Sequence, residues 1–235
     1  MKKAVVIFSG GQDSTTCLGL ATVQYDEVEA ITFYYGQKHS IEIEQSKLIC
    51  AKYGVRQTLV DISFLNQIVD SALTSNGDVN ERHPRLKNLP ASFVPNRNQM
   101  FITIAHAYAQ KIGAEVLMTG VCETDYSGYP DCRQEFISSI EKSTNLGSET
   151  NISIVTPLMR LKKGEIFHLA YRVGVLNDVV NLSHTCYNGS REFKYDWGYG
   201  CSHNDPNTGE IIECPACHLR RLGWEEFKAI MSMED

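Results

Sequence analysis

AVVIFSGGQDSTTC, residues 4–17, joins a short apolar run to paired glycines, an acid and three hydroxyls. AVVIF reads as one buried strand and residues 13–25 as the helix that follows it. In an open parallel sheet, ligands bind beyond the carboxyl ends of the strands, where residues 9–14 fall. Gly10 and Gly11 can adopt backbone conformations closed to other residues and admit phosphate oxygens close to the chain. The following helix aims unpaired N–H groups and its positive dipole end at the same place. Ser9, Ser14 and Thr15 add hydroxyl donors. The segment lacks the Lys-Ser/Thr of a Walker A loop and the three-glycine spacing of a dinucleotide fingerprint. Asp13 beside a phosphate calls for a cation, and Mg²⁺ fits a site of one carboxylate with phosphate and water. An ordinary tight turn with Asp13 or Ser14 as helix cap would have the same local sequence.

Outward from the loop, strand-like and helix-like runs alternate. Residues 28–35, 56–62, 114–121 and 152–157 read as strands; 40–53, 98–113 and 162–174 read as helices. Residues 74–90 are polar with two prolines and form a loop or lid candidate. The alternation predicts an α/β fold, a parallel sheet with helices on both faces. From residue 181 the texture changes to glycine, aromatics and cysteine. The expected organisation is a nucleotide-binding domain over 1–180 and a zinc-binding lobe with a C-terminal helix over 181–235.

The chain has 235 residues, 43% hydrophobic and 21% charged, enough for a sizeable core. A net charge of −6 disfavours gripping a nucleic acid backbone and leaves room for a small anion. No signal-peptide core or membrane span is visible, so a cytoplasmic location is expected. Among eight cysteines, Cys17, Cys50, Cys122 and Cys132 are scattered, whereas Cys186, Cys201, Cys214 and Cys217 cluster. Cys17, inside a helix, reads as core. CPAC at 214–217 presents two thiolates, and Cys186 and Cys201 complete an S4 set that favours one structural Zn²⁺. His203 and His218 are near enough in sequence to replace one of them.

SGGQDS at 9–14 resembles the pyrophosphate loop of the ATP pyrophosphatase superfamily, which splits ATP between the α and β phosphates. The resemblance implies an adenine nucleotide alpha hydrolase-like, Rossmann-like sheet. FSGGQDSTTC, GVCETDYSGYPDCRQEF (120–136), TPLMRLKKGEI (156–166) and HTCYNG with its downstream cysteines jointly resemble the 7-cyano-7-deazaguanine synthase family of the queuosine pathway. That resemblance implies adenylation of 7-carboxy-7-deazaguanine, displacement of AMP by ammonia, and dehydration of the amide to the nitrile with a second ATP. It also implies four zinc-binding cysteines and a homodimer, with no direct nucleic acid partner. By the same resemblance Asp13, Ser14, Lys163 and Arg97 are the catalytic candidates. Lys163 is assigned to the α phosphate and Arg97 to a second cationic role. Phe8, Ser9, Gly10, Gly11, Gln12, Asp13, Ser14 and Thr15 would hold the ATP phosphates, with Tyr34, Tyr35, Gly36 and Gln37 near adenosine. Tyr126 and Tyr129 would stack on the deazapurine, and Glu123, Asp125, Asp131 and Arg133 would pair its edge or carboxylate. With no glutaminase segment in the chain, nitrogen is expected as free ammonia.

Two departures stand out. The family's CxxCxxC is opened by HNDPNTGEII between Cys201 and Cys214, and its VPGRN reads VPNRN with Asn96 in place of glycine. Asparagine tolerates a left-handed backbone better than most residues. A tRNA thiolation-type ATP pyrophosphatase, with Cys122 or Cys132 catalytic, and a non-catalytic nucleotide sensor are the competing readings.

Overall fold

The computed structural model describes residues 1–37, 41–69, 71–73, 78, 81–83, 88–124 and 129–234. Strands β1 (Lys3–Ile7), β2 (Glu27–Tyr34), β3 (Arg56–Asp61), β4 (Val116–Met118) and β5 (Ser153–Val155) form one sheet, ordered β3-β2-β1-β4-β5 with every pair parallel. Because side chains alternate along a strand, consecutive residues feed opposite faces. Val5, Ile31 and Leu117 pack on one face against Ile102 and Ala105 of α3 (Arg97–Ile112) and Ile137 of α4 (Gln134–Ser148). Val6, Ala30 and Met118 meet the other side. There they pack against Leu18 of α1 (Gln12–Gln24), Ile49 of α2 (Ile41–Tyr53) and Ile166 of α5 (Lys163–Arg172). Each buried Val, Leu, Ile or Met side chain among them contributes about 1.5–3 kcal/mol. The parallel α/β sheet with helices on both faces is therefore the observed fold.

Most expected elements lie within two residues of the observed ones; β4 and β5 are shorter than predicted. Helix α4 was not anticipated. Much of the loop candidate at 74–90 lies outside the described residues; within it, Glu81 O accepts from Ala91 N and Leu89 O from His83 N. Asn96 is left-handed (φ 59°), as VPNRN suggested, and sits at the residue before α3 without a side-chain cap bond.

Beyond α6 (Leu176–Asn181), hairpins β6 (Phe193–Tyr195) with β7 (Gly198–Gly200) and β8 (His203–Asn204) with β9 (Ile211–Ile212) lead into α7 (Pro215–Glu234). Helix α7 returns to pack along α5, with Phe167 and Phe227 in a shared cluster. Two glycines set this approach. A Cβ on Gly164 would lie 2.5 Å from Glu226 Cβ, and one on Gly223 would lie 2.4 Å from Lys163 Cβ and 3.1 Å from the Lys163 carbonyl carbon. Gly223→Ala is expected to cost about 1–3 kcal/mol by overpacking, read as a lower midpoint in urea unfolding. An unchanged midpoint would mean the helices separate freely. No described helix is long and apolar enough to cross a membrane.

Candidate active site

The chain leaves β1 toward β2 on one side and reaches β4 on the other, so a crevice opens at their carboxyl ends, as open α/β sheets require. A cleft of about 300 Å³ occupies it, lined by Phe8, Ser9, Gly11, Gln12, Asp13 and Ser14 from the loop after β1. Ser14 Oγ donates to Gly11 O (3.2 Å) and accepts from Ser9 N (3.3 Å), with Ser9 Oγ 3.1 Å away. These bonds close the loop on itself. Gly10 faces away: its φ is 81°, and a Cβ there would sit 2.8 Å from Glu42 O and 2.9 Å from Ser46 N. Its missing side chain admits the start of α2 rather than a ligand. Thr15 is buried inside the helix and does not line the cleft.

Asp13 Oδ2 accepts from Lys163 Nζ at 2.6 Å, which brings two of the predicted catalytic residues together across 150 positions of sequence. Asp13 Oδ1 has no partner among the described residues, nor has either end of the Gln12 amide, although Gln12 is 2% exposed. An unmet buried polar group costs about 1–3 kcal/mol. Orphaned donors and acceptors lining a cleft fit a polar ligand, and an open carboxylate oxygen beside this glycine-hydroxyl loop fits Mg²⁺.

Arg97, at the first position of α3, lines the same cleft, with its guanidinium 5.6 Å from the Tyr35 ring centre and 5.9 Å from that of Phe101. Burial opposes its charge, but the oxygens of Tyr35, Tyr129 and Asp131 outweigh burial and hold its pKa above the ordinary value. Glu42 faces the cleft too. Burial pushes its carboxyl up to about 7, against the pull of Arg97. A raised carboxyl pKa favours the fold at low pH, fully below its unfolded value near 4.5, and that contribution is lost as pH rises through about 7. Urea unfolding of the ligand-free protein should therefore show Glu42→Gln gaining stability relative to wild type between pH 5 and pH 7.5. A constant difference over that range would contradict the shift.

The tract after β4 divides in two. Tyr129 lines the cleft, its hydroxyl 2.7 Å from Ser92 Oγ and its ring stacked on Phe93. Asp131 is buried and accepts from Asn98 N at 3.1 Å, which caps α3; Glu123 Oε2 accepts from Gln134 N at 3.0 Å, which caps α4. Arg133 is exposed as the residue before α4. None of these three is among the residues lining the cleft; each holds or marks a helix start. Asp125 and Tyr126 lie outside the described residues. Of the adenosine candidates, Tyr35 and Gln37 line the cleft, joined by Gln37 Oε1 accepting from Tyr35 N. Tyr34 belongs to β2 and does not line it, and Gly36, with φ 78°, abuts Asn66.

The sulfurs of Cys186, Cys201, Cys214 and Cys217 all lie within 4.8 Å of one another. Cys201 and Cys217 are 3.8 Å apart, Cys186 and Cys214 3.9 Å. A tetrahedron with metal–sulfur bonds of about 2.3 Å has edges of roughly 3.8 Å, so the donor set fits Zn²⁺. The insertion leaves this cluster intact because it folds into the β8–β9 hairpin. Asp205 Oδ1 accepts from Asn207 N and Gly209 turns left-handed, which returns the chain to Cys214. His203 therefore does not substitute; its Nδ1 contacts Cys201 O, and His218 contacts Glu213. Cys17 is in the core, where burial raises its thiol pKa well above the ordinary value.

Sequence reasoning passed over His184, Thr185 and Arg220. HTC at 184–186 offers sequence reasoning only its cysteine, yet His184 N donates to Gly10 O (2.9 Å) and Gln12 N to Thr185 Oγ1 (3.5 Å), so this segment braces the loop after β1. Arg220 lies one turn beyond Cys217 on α7 and is 1% exposed. Burial pushes its pKa down to about 10, which leaves it charged at neutral pH.

A family model described as queuosine biosynthesis protein QueC matches residues 3–228. A 7-cyano-7-deazaguanine synthase of Wolinella succinogenes is 52% identical over 228 residues, 96% of this chain and 94% of that protein. One of Bacillus subtilis is 48% identical over 226 residues, 96% of this chain and 95% of that protein. Among solved structures, a 4-thiouridine synthetase in complex with RNA and bound ATP matches 97% of this chain and 54% of its own. Its TM-score is 0.51 at 20% identity, a likeness of fold alone.

Proposed function

The chain belongs to the QueC family of queuosine biosynthesis proteins, and on that premise we propose the chemistry of a 7-cyano-7-deazaguanine synthase for its cleft. The near-full-length identity to synthases favours this over thiolation and over a non-catalytic sensor. The protein is an ATP-consuming ligase. The observation that carries the residue roles is the cleft itself: an open Asp13 Oδ1 and Gln12 amide beside Lys163 and Arg97.

A carboxylate does not lose oxide to ammonia, so its oxygen must first leave as part of a better group. In the first round a carboxylate oxygen of 7-carboxy-7-deazaguanine attacks the α phosphorus of ATP, diphosphate departs, and ammonia then displaces AMP to give the amide. In the second round the amide oxygen attacks another ATP, and loss of AMP with the N–H protons leaves the nitrile. Both carboxylate oxygens depart on AMP. Ser9, Gly11 and Ser14 hold the β and γ phosphates as they become diphosphate. Lys163 moves from Asp13 to the α phosphate, and Arg97 supplies the second positive charge. Asp13 would hold Mg²⁺, which when bound would supply charge neutralisation for the departing oxygens. Tyr35 and Gln37 face adenosine, and Tyr129 offers its ring to the deazapurine.

Residues 1–180 form the nucleotide-binding part, and 181–235 a lobe stapled by one Zn²⁺ on the four cysteines, which supplies folding free energy and no chemistry. The enzyme works as a cytoplasmic homodimer and takes its nitrogen as ammonia. Zinc-replete protein incubated with ATP, Mg²⁺, ammonium and 7-carboxy-7-deazaguanine should yield the amide and then the nitrile by mass spectrometry. Absence of both from a sample that binds ATP would reject the assignment.

A further inference from the structure

Arg220 is a buried cation that, among the described residues, meets no acidic side chain directly; the Asp13 carboxylate and the Cys217 sulfur act on its charge from further away. Its guanidinium donates to Trp197 O (2.9 Å), Val179 O (2.7 Å) and Thr185 Oγ1 (2.8 Å), all neutral oxygens. Among the described residues it has no carboxylate within ion-pair distance, unlike its neighbour Arg221, which pairs with Glu213. The wall around it is fitted closely: a Cβ on Gly198 would lie 2.5 Å from Arg220 Nη2. Burying an unpaired charge is expensive, and here it is buried against the cleft that Asp13, Ser14 and Lys163 also line. Thr185 Oγ1, which accepts a hydrogen bond from Arg220 Nη1, also accepts one from Gln12 N at the start of α1 (3.5 Å).

We propose that Arg220 is a positioning residue for the diphosphate end of ATP: it fixes Thr185 against the phosphate loop and sets its own positive charge behind that loop. Among the described residues three of its five donors are used, each on a neutral oxygen, so an anion in the loop would add to the compensation that Asp13 and the Cys217 sulfur already give its charge. Arg220 follows Cys217 by one helical turn, so the cysteine lobe reaches the phosphate site through this side chain. The sequence signal is weak because an arginine on an amphipathic helix ordinarily belongs to the solvated face.

This inference rests on the reading of the cleft as a phosphate site, and the test separates the two. Isothermal titration with magnesium diphosphate and with adenosine would be run on the zinc-loaded wild type and on Arg220→Gln, Arg220→Lys, Thr185→Val and Thr185→Ser. Arg220→Gln should weaken diphosphate binding by roughly 10- to 100-fold and leave adenosine binding unchanged. Arg220→Lys should recover part of the loss through charge alone. Thr185→Val should weaken diphosphate binding and Thr185→Ser restore it, which decides the matter if the Arg220 variants do not fold. Equal loss of diphosphate and adenosine binding would reduce Arg220 to a structural role and overturn the proposal. So would wild-type diphosphate affinity in Arg220→Gln or, should that variant not fold, in Thr185→Val. Failure of wild-type protein to bind diphosphate would instead remove the phosphate site itself, and with it the premise.

Discussion

Lys163→Met is expected to lower the rate of AMP formation by about 10²- to 10³-fold, the range seen when a group aimed at developing transition-state charge is removed. Lys163 stands at the first position of α5, 16% exposed, with its ammonium 2.6 Å from Asp13 Oδ2. In the free protein it pairs with that carboxylate; in the proposed mechanism its charge is needed on the phosphate being attacked. Methionine keeps the length and packing of the side chain but removes the charge, leaving Asp13 part-buried and without its cation. A modest loss of stability should accompany the loss of rate. The double variant Asp13→Asn, Lys163→Met separates the two, since it should recover stability without recovering turnover. The decisive reading is single-turnover AMP release at saturating ATP; a Lys163→Met rate within a few-fold of wild type would remove Lys163 from the chemistry.

The second large effect is structural. Cys214→Ser should abolish stoichiometric zinc and collapse the tertiary structure of the C-terminal lobe. Cys186, Cys214 and Cys217 are at most 2% exposed and share a cluster with Trp197 and Ala216, in a segment with few other apolar residues to bury. Structural zinc sites carry apparent binding free energies on the order of 10 kcal/mol, which no packing here replaces. The signal to follow is Trp197, stacked 4.6 Å from Tyr195, by near-ultraviolet circular dichroism alongside metal content. Because His184 and Thr185 precede Cys186 and brace the loop after β1, where the proposed mechanism holds the phosphates, ATP binding should fall as well. A Cys214→Ser protein that keeps one zinc and a native Trp197 spectrum would contradict the tetrahedral assignment.

Much of this was legible in the sequence because its causes are local. The strand–Gly–Gly–helix turn sets its own geometry, and the alternation of apolar runs dictates a two-faced parallel sheet. The four cysteines were readable through chemistry, although not the hairpin that keeps Cys201 and Cys214 together across the insertion. Helix α4 was obscured because its buried residues are few, chiefly Ile137 and Ile140, and Leu146 is exposed. Asp131 and Glu123 read as ligand-binding because they sit in a donor-rich tract. Their hydrogen bonds to the starts of α3 and α4 depend on helices that only the tertiary fold brings alongside. Glu42, Thr185 and Arg220 were invisible for the same reason: each gains its place in the cleft from burial by distant segments.

The measurement closest to the proposed chemistry follows the two carboxylate oxygens. When 7-carboxy-7-deazaguanine labelled with ¹⁸O in its carboxylate is converted by the enzyme, one labelled oxygen should appear in each of two AMP molecules per nitrile formed. Water and diphosphate should carry none. Label in diphosphate or in phosphate, or AMP free of label, would contradict adenylation of the substrate at this cleft.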